Sequence, residues 1–116
     1  MLLATVRTDV TSSAGTSLTA SAFLNGYIHR SNILNNAQTD TLPTASAIIT
    51  ELNTFTAATT GMTLDCFYYN ASGNNINIVA GSGGSLSGTI QISGGRLHRI
   101  TMLLTSTTTY VAMVAP

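Results

Sequence analysis

Chemistry in this chain of 116 residues would have to come from a small set of side chains. Two histidines, His29 and His98, and four acids, Asp9, Asp40, Glu51 and Asp65, make up its whole stock of general acids, bases and hard metal ligands. Acid–base or triad catalysis needs a base within hydrogen-bond reach of a nucleophile and an orienting carboxylate, and no spacing among these six residues supports such a triad. His29 and His98 fall on separate predicted strands, with no carboxylate at a recognisable ligand spacing, so no metal site is predicted. Glycoside hydrolysis needs two carboxylates facing one bond. Glu51 lies on a predicted helix and Asp65 on a predicted strand, with nothing to make them converge. The single cysteine, Cys66, excludes an intrachain disulfide and a Cys-rich zinc site.

The glycine-rich stretch Gly83-Gly84-Ser85-Leu86-Ser87-Gly88-Thr89 has the outer glycines of a phosphate-binding loop, but the chain contains no lysine to reach the β- and γ-phosphates. The stretch leads into a predicted strand, so no helix dipole faces an anion. The Gly-X-Ser-X-Gly spacing of a nucleophile elbow is also missing, because Gly84 and Gly88 bracket Leu86. The expectation is no catalytic, cofactor-binding or metal-binding residue, and no enzyme. Asp40, just before the predicted helix, reads as a structural acid that meets free amides and pins the corner between an amino-terminal arm and that helix. Asn70-Ala71-Ser72 is a formal glycosylation sequon in a predicted turn. Arg96 and Arg99 read first as solvated strand charges and second as donors to a partner's carbonyls.

The elements that must position these residues follow from periodicity. Asp40 to Asn53 carries the one predicted helix, over about residues 43–53. Pro43 supplies a first-turn backbone angle, Thr41 or Thr44 a cap, and Ala45, Ile48, Ile49 and Leu52 an apolar stripe. About three turns cannot stand alone, so this helix must pack on a sheet. From Met62 onward the period becomes two, with strands around Met62–Tyr69, Ile76–Ile78, Ile90–Ile92, Arg96–Thr105 and Tyr110–Val114 separated by Gly, Ser and Asn turns. Residues 80–88 read as a loop anchored by Leu86, in which Gly81 and Gly88 let the backbone double back. Upstream, the alternation of Leu18, Ala20, Ala22 and Leu24 predicts a strand, turned at Asn25-Gly26 into Tyr27 to Arg30. Residues 1–16 read as an extended arm and residues 17–116 as one domain. The expected fold is mainly β: an antiparallel sandwich or barrel, jelly-roll-like, with one short helix. Ile100 to Leu104 has large apolar groups on both faces, which marks Ile100, Met102 and Leu104, together with Arg96 and Arg99, as a candidate interface.

Thr, Ser and Asn supply 41 of the 116 residues, only 7% are charged, and the formal net charge is zero. A nucleic-acid or polybasic membrane partner is excluded by that balance. The start, Met1-Leu2-Leu3-Ala4, has no basic region ahead of an apolar run as a signal peptide would, and no apolar run reaches the roughly 18 residues needed to span a bilayer. A neutral surface of hydroxyl and amide groups lacks the charge repulsion that keeps copies apart.

Gln38-Thr39-Asp40-Thr41, Pro43-Thr44-Ala45 and Ala47-Ile48 stand in one block. With Leu24-Asn25-Gly26-Tyr27-Ile28-His29-Arg30, Ile78-Val79-Ala80-Gly81-Ser82-Gly83-Gly84-Ser85-Leu86-Ser87-Gly88-Thr89-Ile90 and Leu104-Thr105-Ser106-Thr107-Thr108-Thr109, this order resembles small β-rich virion structural proteins of tailed phages and large DNA viruses. The resemblance covers roughly residues 20–115 and rests on turn-and-strand signatures; it departs at Gly81-Ser82-Gly83-Gly84, where such sequences often carry Gly-Thr-Gly. It implies a minor capsid or decoration (cement) protein on the virion surface, homo-oligomeric with a trimer favoured, binding the major capsid protein and carrying no catalytic residues. The alternative it implies is a receptor-binding or tail-fibre tip module; a cement protein is present in hundreds of copies per particle, a tip in few. On this reading, Asp in place of Ile48 or Ile49 unfolds the subunit, whereas deleting residues 1–14 spares folding and weakens attachment.

Overall fold

The computed structural model describes residues 5–33, 36–88 and 91–115. Ile90 and Thr89 of the predicted strand, Met1 to Ala4 and Pro116 lie outside the described residues. The architecture is mainly β and sandwich-like, with short helices, as the alternating patterns require. A six-stranded sheet is formed by β1 (Val6–Val10), β2 (Gly26–Arg30), β4 (Thr63–Asn70), β8 (Leu97–Leu104), β9 (Tyr110–Val114) and β6 (Gly84–Gly88), in that order. A three-stranded sheet holds β3 (Gln38–Thr41), β5 (Ile76–Val79) and β7 (Gln91–Ile92). Both sheets contribute to one core, in which Ile28, Leu64, Tyr68, Ile100 and Met102 of the larger meet Ile76, Ile78 and Ile92 of the smaller.

Pairing within the sheets is mixed rather than antiparallel throughout. β4–β8–β9 and β5–β7 are antiparallel, with only β8 and β9 joined by a short turn, whereas β1–β2, β2–β4, β3–β5 and β6–β9 run parallel. Parallel neighbours need a crossover, and each of these pairs is separated by at least one intervening helix or strand. The predicted loop at residues 80–88 is an edge strand from Gly84 onward, laid parallel on β9.

Among the described residues two helices cover the sheets, not one. Residues 20–24 form α1 (Ala20–Leu24), where alternation predicts a strand. Phe23 decides it: a period of two puts this residue on the polar face, but it is fully buried beside Ala20 and Leu24, the i, i+3, i+4 set of a helix. The Thr19 side chain accepts a hydrogen bond from the Ala22 amide at 3.1 Å, which caps the turn. The expected helix is α2 (Ala45–Leu52), shorter than 43–53 at both ends. Thr44 is its cap, accepting from the Ala47 amide at 3.1 Å, so Pro43 precedes the cap instead of opening the first turn. Ala45, Ile48 and Leu52 are buried, and Ile49 at the edge of the stripe is half-buried against the core.

Candidate functional site

Two places in this fold concentrate polar or aromatic side chains: a buried charged cluster between the sheets, and the outer face of the larger sheet. The buried cluster centres on Arg30, the last residue of β2. Alternation along Gly26 to Arg30 puts its side chain on the inner face with Ile28, and both are fully buried. Its Nε donates to Asp40 Oδ2 at 2.8 Å and its Nη2 to Asp40 Oδ1 at 3.3 Å, across the gap from β2 to β3. The remaining guanidinium hydrogens go to the carbonyls of Ser12 at 2.6 Å, Ala14 at 2.6 Å and Ser31 at 3.0 Å. Asp40 also accepts from the Tyr68 hydroxyl and from the Thr16 amide at 3.1 Å. Among the described residues, no buried side-chain nitrogen or oxygen lacks a partner. Asp40 thus pins the corner between arm and helix, but through Arg30, Tyr68 and Thr16; the amide of Ala47 is taken by Thr44.

This geometry overturns the expectation that residues 1–14 are dispensable for folding. β1 pairs with β2 along Val6 to Val10, and the carbonyls of Ser12 and Ala14 complete the shell around a guanidinium with no access to water. Truncation after residue 14 removes those acceptors and is expected to cost about 3 kcal/mol or more, read as a lower urea midpoint. An unchanged midpoint would show that the strand contributes nothing.

Burial raises the proton affinity of two inner-face groups of β4. The Cys66 thiol is pushed up to about 12, chiefly by burial and against a hydrogen bond with the Ile28 backbone. The Tyr68 phenol is also raised, first by burial and then by the neighbouring Asp40 carboxylate, with Arg30 opposing. Between pH 9 and 12 the unfolded chain loses the Cys66 proton while the folded chain keeps it, so stability falls as pH rises. The expected result is a urea midpoint that declines from pH 9 to 11, with the part of the decline between pH 9 and 10 absent in Cys66→Ala. A midpoint flat to pH 11 would contradict this.

The other structural residues lie where their types demand. Gly81 packs under the start of α2: a Cβ there would meet the Leu42 carbonyl and sit 2.6 Å from that of Pro43. The Tyr110 hydroxyl ties the same corner, accepting from the Gly81 amide at 3.0 Å and donating to the Pro43 carbonyl at 2.7 Å. Gly88 ends β6 at φ +87°, a backbone angle that side-chain-bearing residues avoid. Asn70 of the sequon is buried, with its amide donating to the carbonyls of Asn74 and Ile92 and its oxygen accepting from Ser72. A glycan on that nitrogen would replace one of its two N–H donors, at a side chain with no exposed surface.

The proposed interface on β8 needs correction. Ile100, Met102 and Leu104 are fully buried in the core, because β8 lies inside the sheet between β4 and β9 and its inner face meets the second layer. The exposed face of the same strand carries Leu97, Arg99 and Leu103, and Arg96 is exposed just before it. Arg96 and Arg99 are therefore open to a partner, and the apolar residues next to them are those one position off the expected set.

That outer face is continuous across the larger sheet. Register places Arg7, Tyr27, Phe67 and Arg99 in one row and Asp9, His29, Tyr69 and Leu97 in the next. Asp65, Thr101 and Met113 share a third row, and Thr63, Leu103 and Val111 a fourth. The His29 ring lies 5.5 Å from Tyr69 and 6.4 Å from Tyr27 between centroids. A shallow hollow of about 400 Å³ is lined by Thr5, Tyr27, Phe67, Tyr69 and Leu97. Four of the chain's eight charged residues stand on this face, Arg7, Arg99, Asp9 and Asp65; Arg7 Nε binds Asp9 Oδ1 at 2.6 Å, and Thr101 donates to Asp65 at 2.6 Å.

The histidines are not brought together. His29 Nδ1 stands 3.6 Å from Asp9 on the outer face, and His98 Nδ1 lies 2.6 Å from the Ala115 carbonyl. Among the described residues no three His, Cys, Asp or Glu side chains gather as a metal site, and no helix is long and apolar enough to cross a membrane. Comparison with protein-family models, curated proteins and solved structures finds no match to this chain.

Proposed function

We propose that this chain is a structural subunit of a virion, a minor capsid or decoration protein that self-associates and binds the major capsid protein on the surface of the shell. The observation that carries the reading is the outer face of the larger sheet. Tyr27, Phe67 and Tyr69 lie half-buried there, while Leu97 and Met113 are more than half exposed. Aromatic and aliphatic side chains interspersed with a few charges on one open sheet face mark a surface suited to protein contact. The resemblance in the turn-and-strand segments supplies the virion setting, and the charge-poor, hydroxyl-rich composition suits repeated packing on a lattice. The buried ionic cluster supports a structural role too, since all of its hydrogen-bonding groups are spent inside the fold. On this reading the chain is not an enzyme and takes no cofactor.

The test is copy number and shell strength. Particles purified from the virus that encodes the chain are expected to contain it in hundreds of copies, and particles lacking it to rupture at lower temperature. Absence from purified particles would sink the proposal; a few copies at a tail tip would move it to receptor binding.

A further inference from the structure

We infer that the outer face of the six-stranded sheet is the surface through which two copies of this chain pair, the protruding Leu103 and Met113 of one filling the Tyr27–Phe67–Tyr69–Leu97 hollow of the other. The inference rests on the structural-subunit reading for its purpose, but its geometry is independent of any virion. The hollow lies over β2, β4 and β8, whereas Met113 on β9 stands one row further along the same face and Leu103 and Val111, on β8 and β9, two rows. Socket and knobs thus occupy different parts of one surface. A two-fold axis lying in the contact plane brings each knob onto the other copy's socket, so both are covered twice by one operation.

Charge and area favour a second copy as the occupant. The face carries Arg7 and Arg99 against Asp9 and Asp65, a balance of two and two that lets the surface meet itself without like-charge excess and offers nothing to a polyanion. Six strands about 4.8 Å apart, four of five residues and two of eight at about 3.3 Å per residue, span roughly 570 Å² in projection. Side-chain relief adds to that, which reaches the ~800 Å² per partner of a stable pair. The hollow is walled almost wholly by carbon, which suits an aliphatic side chain better than a sugar or a phosphate.

Sedimentation equilibrium of the full chain from 1 to 100 µM tests the pairing. The expected result is a species of twice the chain mass, with the dissociation constant raised at least tenfold in Leu97→Glu and in Met113→Glu. Both side chains are already more than half exposed, so both variants are expected to keep the wild-type circular dichroism and melting temperature. Phe55→Glu, an exposed site beyond α2 and off this face, is expected to leave the pairing intact. A wild-type monomer at 100 µM, or pairing unaffected by both face variants, or pairing lost in Phe55→Glu alone, would overturn the inference. Particle binding, measured in parallel, separates the two claims: a monomer that still loads onto shells defeats the pairing and leaves the virion role standing, and a dimer that never loads does the reverse.

Discussion

Replacing Arg30 with Met is expected to cost about 3–5 kcal/mol of folding stability, the usual penalty for leaving one member of a buried ion pair without its partner. Whole domains of this size are stable by only about 5–15 kcal/mol, so the variant is expected to unfold at a much lower urea concentration. The loss has two sources. The buried Asp40 carboxylate is left without its guanidinium partner, and the carbonyls of Ser12 and Ala14 lose the donors that hold the amino-terminal segment down. Removing the charge on both sides, Arg30→Met with Asp40→Asn, is expected to recover more than half of the single-variant loss, because the Asn oxygen still accepts from the Thr16 amide and its NH2 group can donate to the Tyr68 hydroxyl oxygen, with no ion left buried. A double-mutant cycle by urea denaturation reads this directly. Strictly additive losses would mean that the two groups are not coupled.

Ile48→Asp is expected to abolish cooperative folding, whereas Ile49→Asp is expected to leave a folded chain weakened by about 1–2 kcal/mol. The two neighbours differ only in direction. Ile48 is fully buried between α2 and the sheets, where a carboxylate would lose its hydration and find no donor, at a cost of several kcal/mol beyond the lost apolar burial. Ile49 is half-buried at the edge of the stripe, so a carboxylate there can reach water. The sequence pattern treats them alike, since both fall within the i, i+3, i+4, i+7 set. Circular dichroism melts of the purified variants decide it; a cooperative melt for Ile48→Asp near the wild-type temperature would refute the core assignment.

The buried cluster was partly legible. Asp40 stands out as the acid beside a predicted helix, but nothing near it in the chain points to its partner, Arg30. A signal for it exists: in Gly26-Tyr27-Ile28-His29-Arg30 the arginine falls in phase with Ile28, and a charge on an apolar phase needs a buried counter-charge. Tyr68 and Asn70 carry the same signal, in phase with Leu64 and Cys66. For β8 the alternation is visible in the sequence, but it is the expected interface set that the fold buries. Ile100, Met102 and Leu104 form the larger apolar set, and the larger set goes to the core, leaving the mixed set of Leu97, Arg99 and Leu103 for the surface.

Local patterning alone determined that this chain is mainly β, where most strands and α2 fall, that Cys66 has no disulfide partner within the chain, and that ready-made motifs for phosphate binding and catalysis are missing. These are properties of spacing and composition, and they act over a few residues. Tertiary structure decided the rest. Whether residues 20–24 become helix or strand depends on what Phe23 packs against, and parallel pairing depends on crossovers that no short window contains. Residues 5–16 look like a loose arm in one dimension because their anchors, the guanidinium of Arg30 and the carboxylate of Asp40, arrive from strands farther along the chain. Long-range pairing of that kind closes loops whose entropy is repaid only once the whole core forms, so it cannot be read from any local stretch of residues.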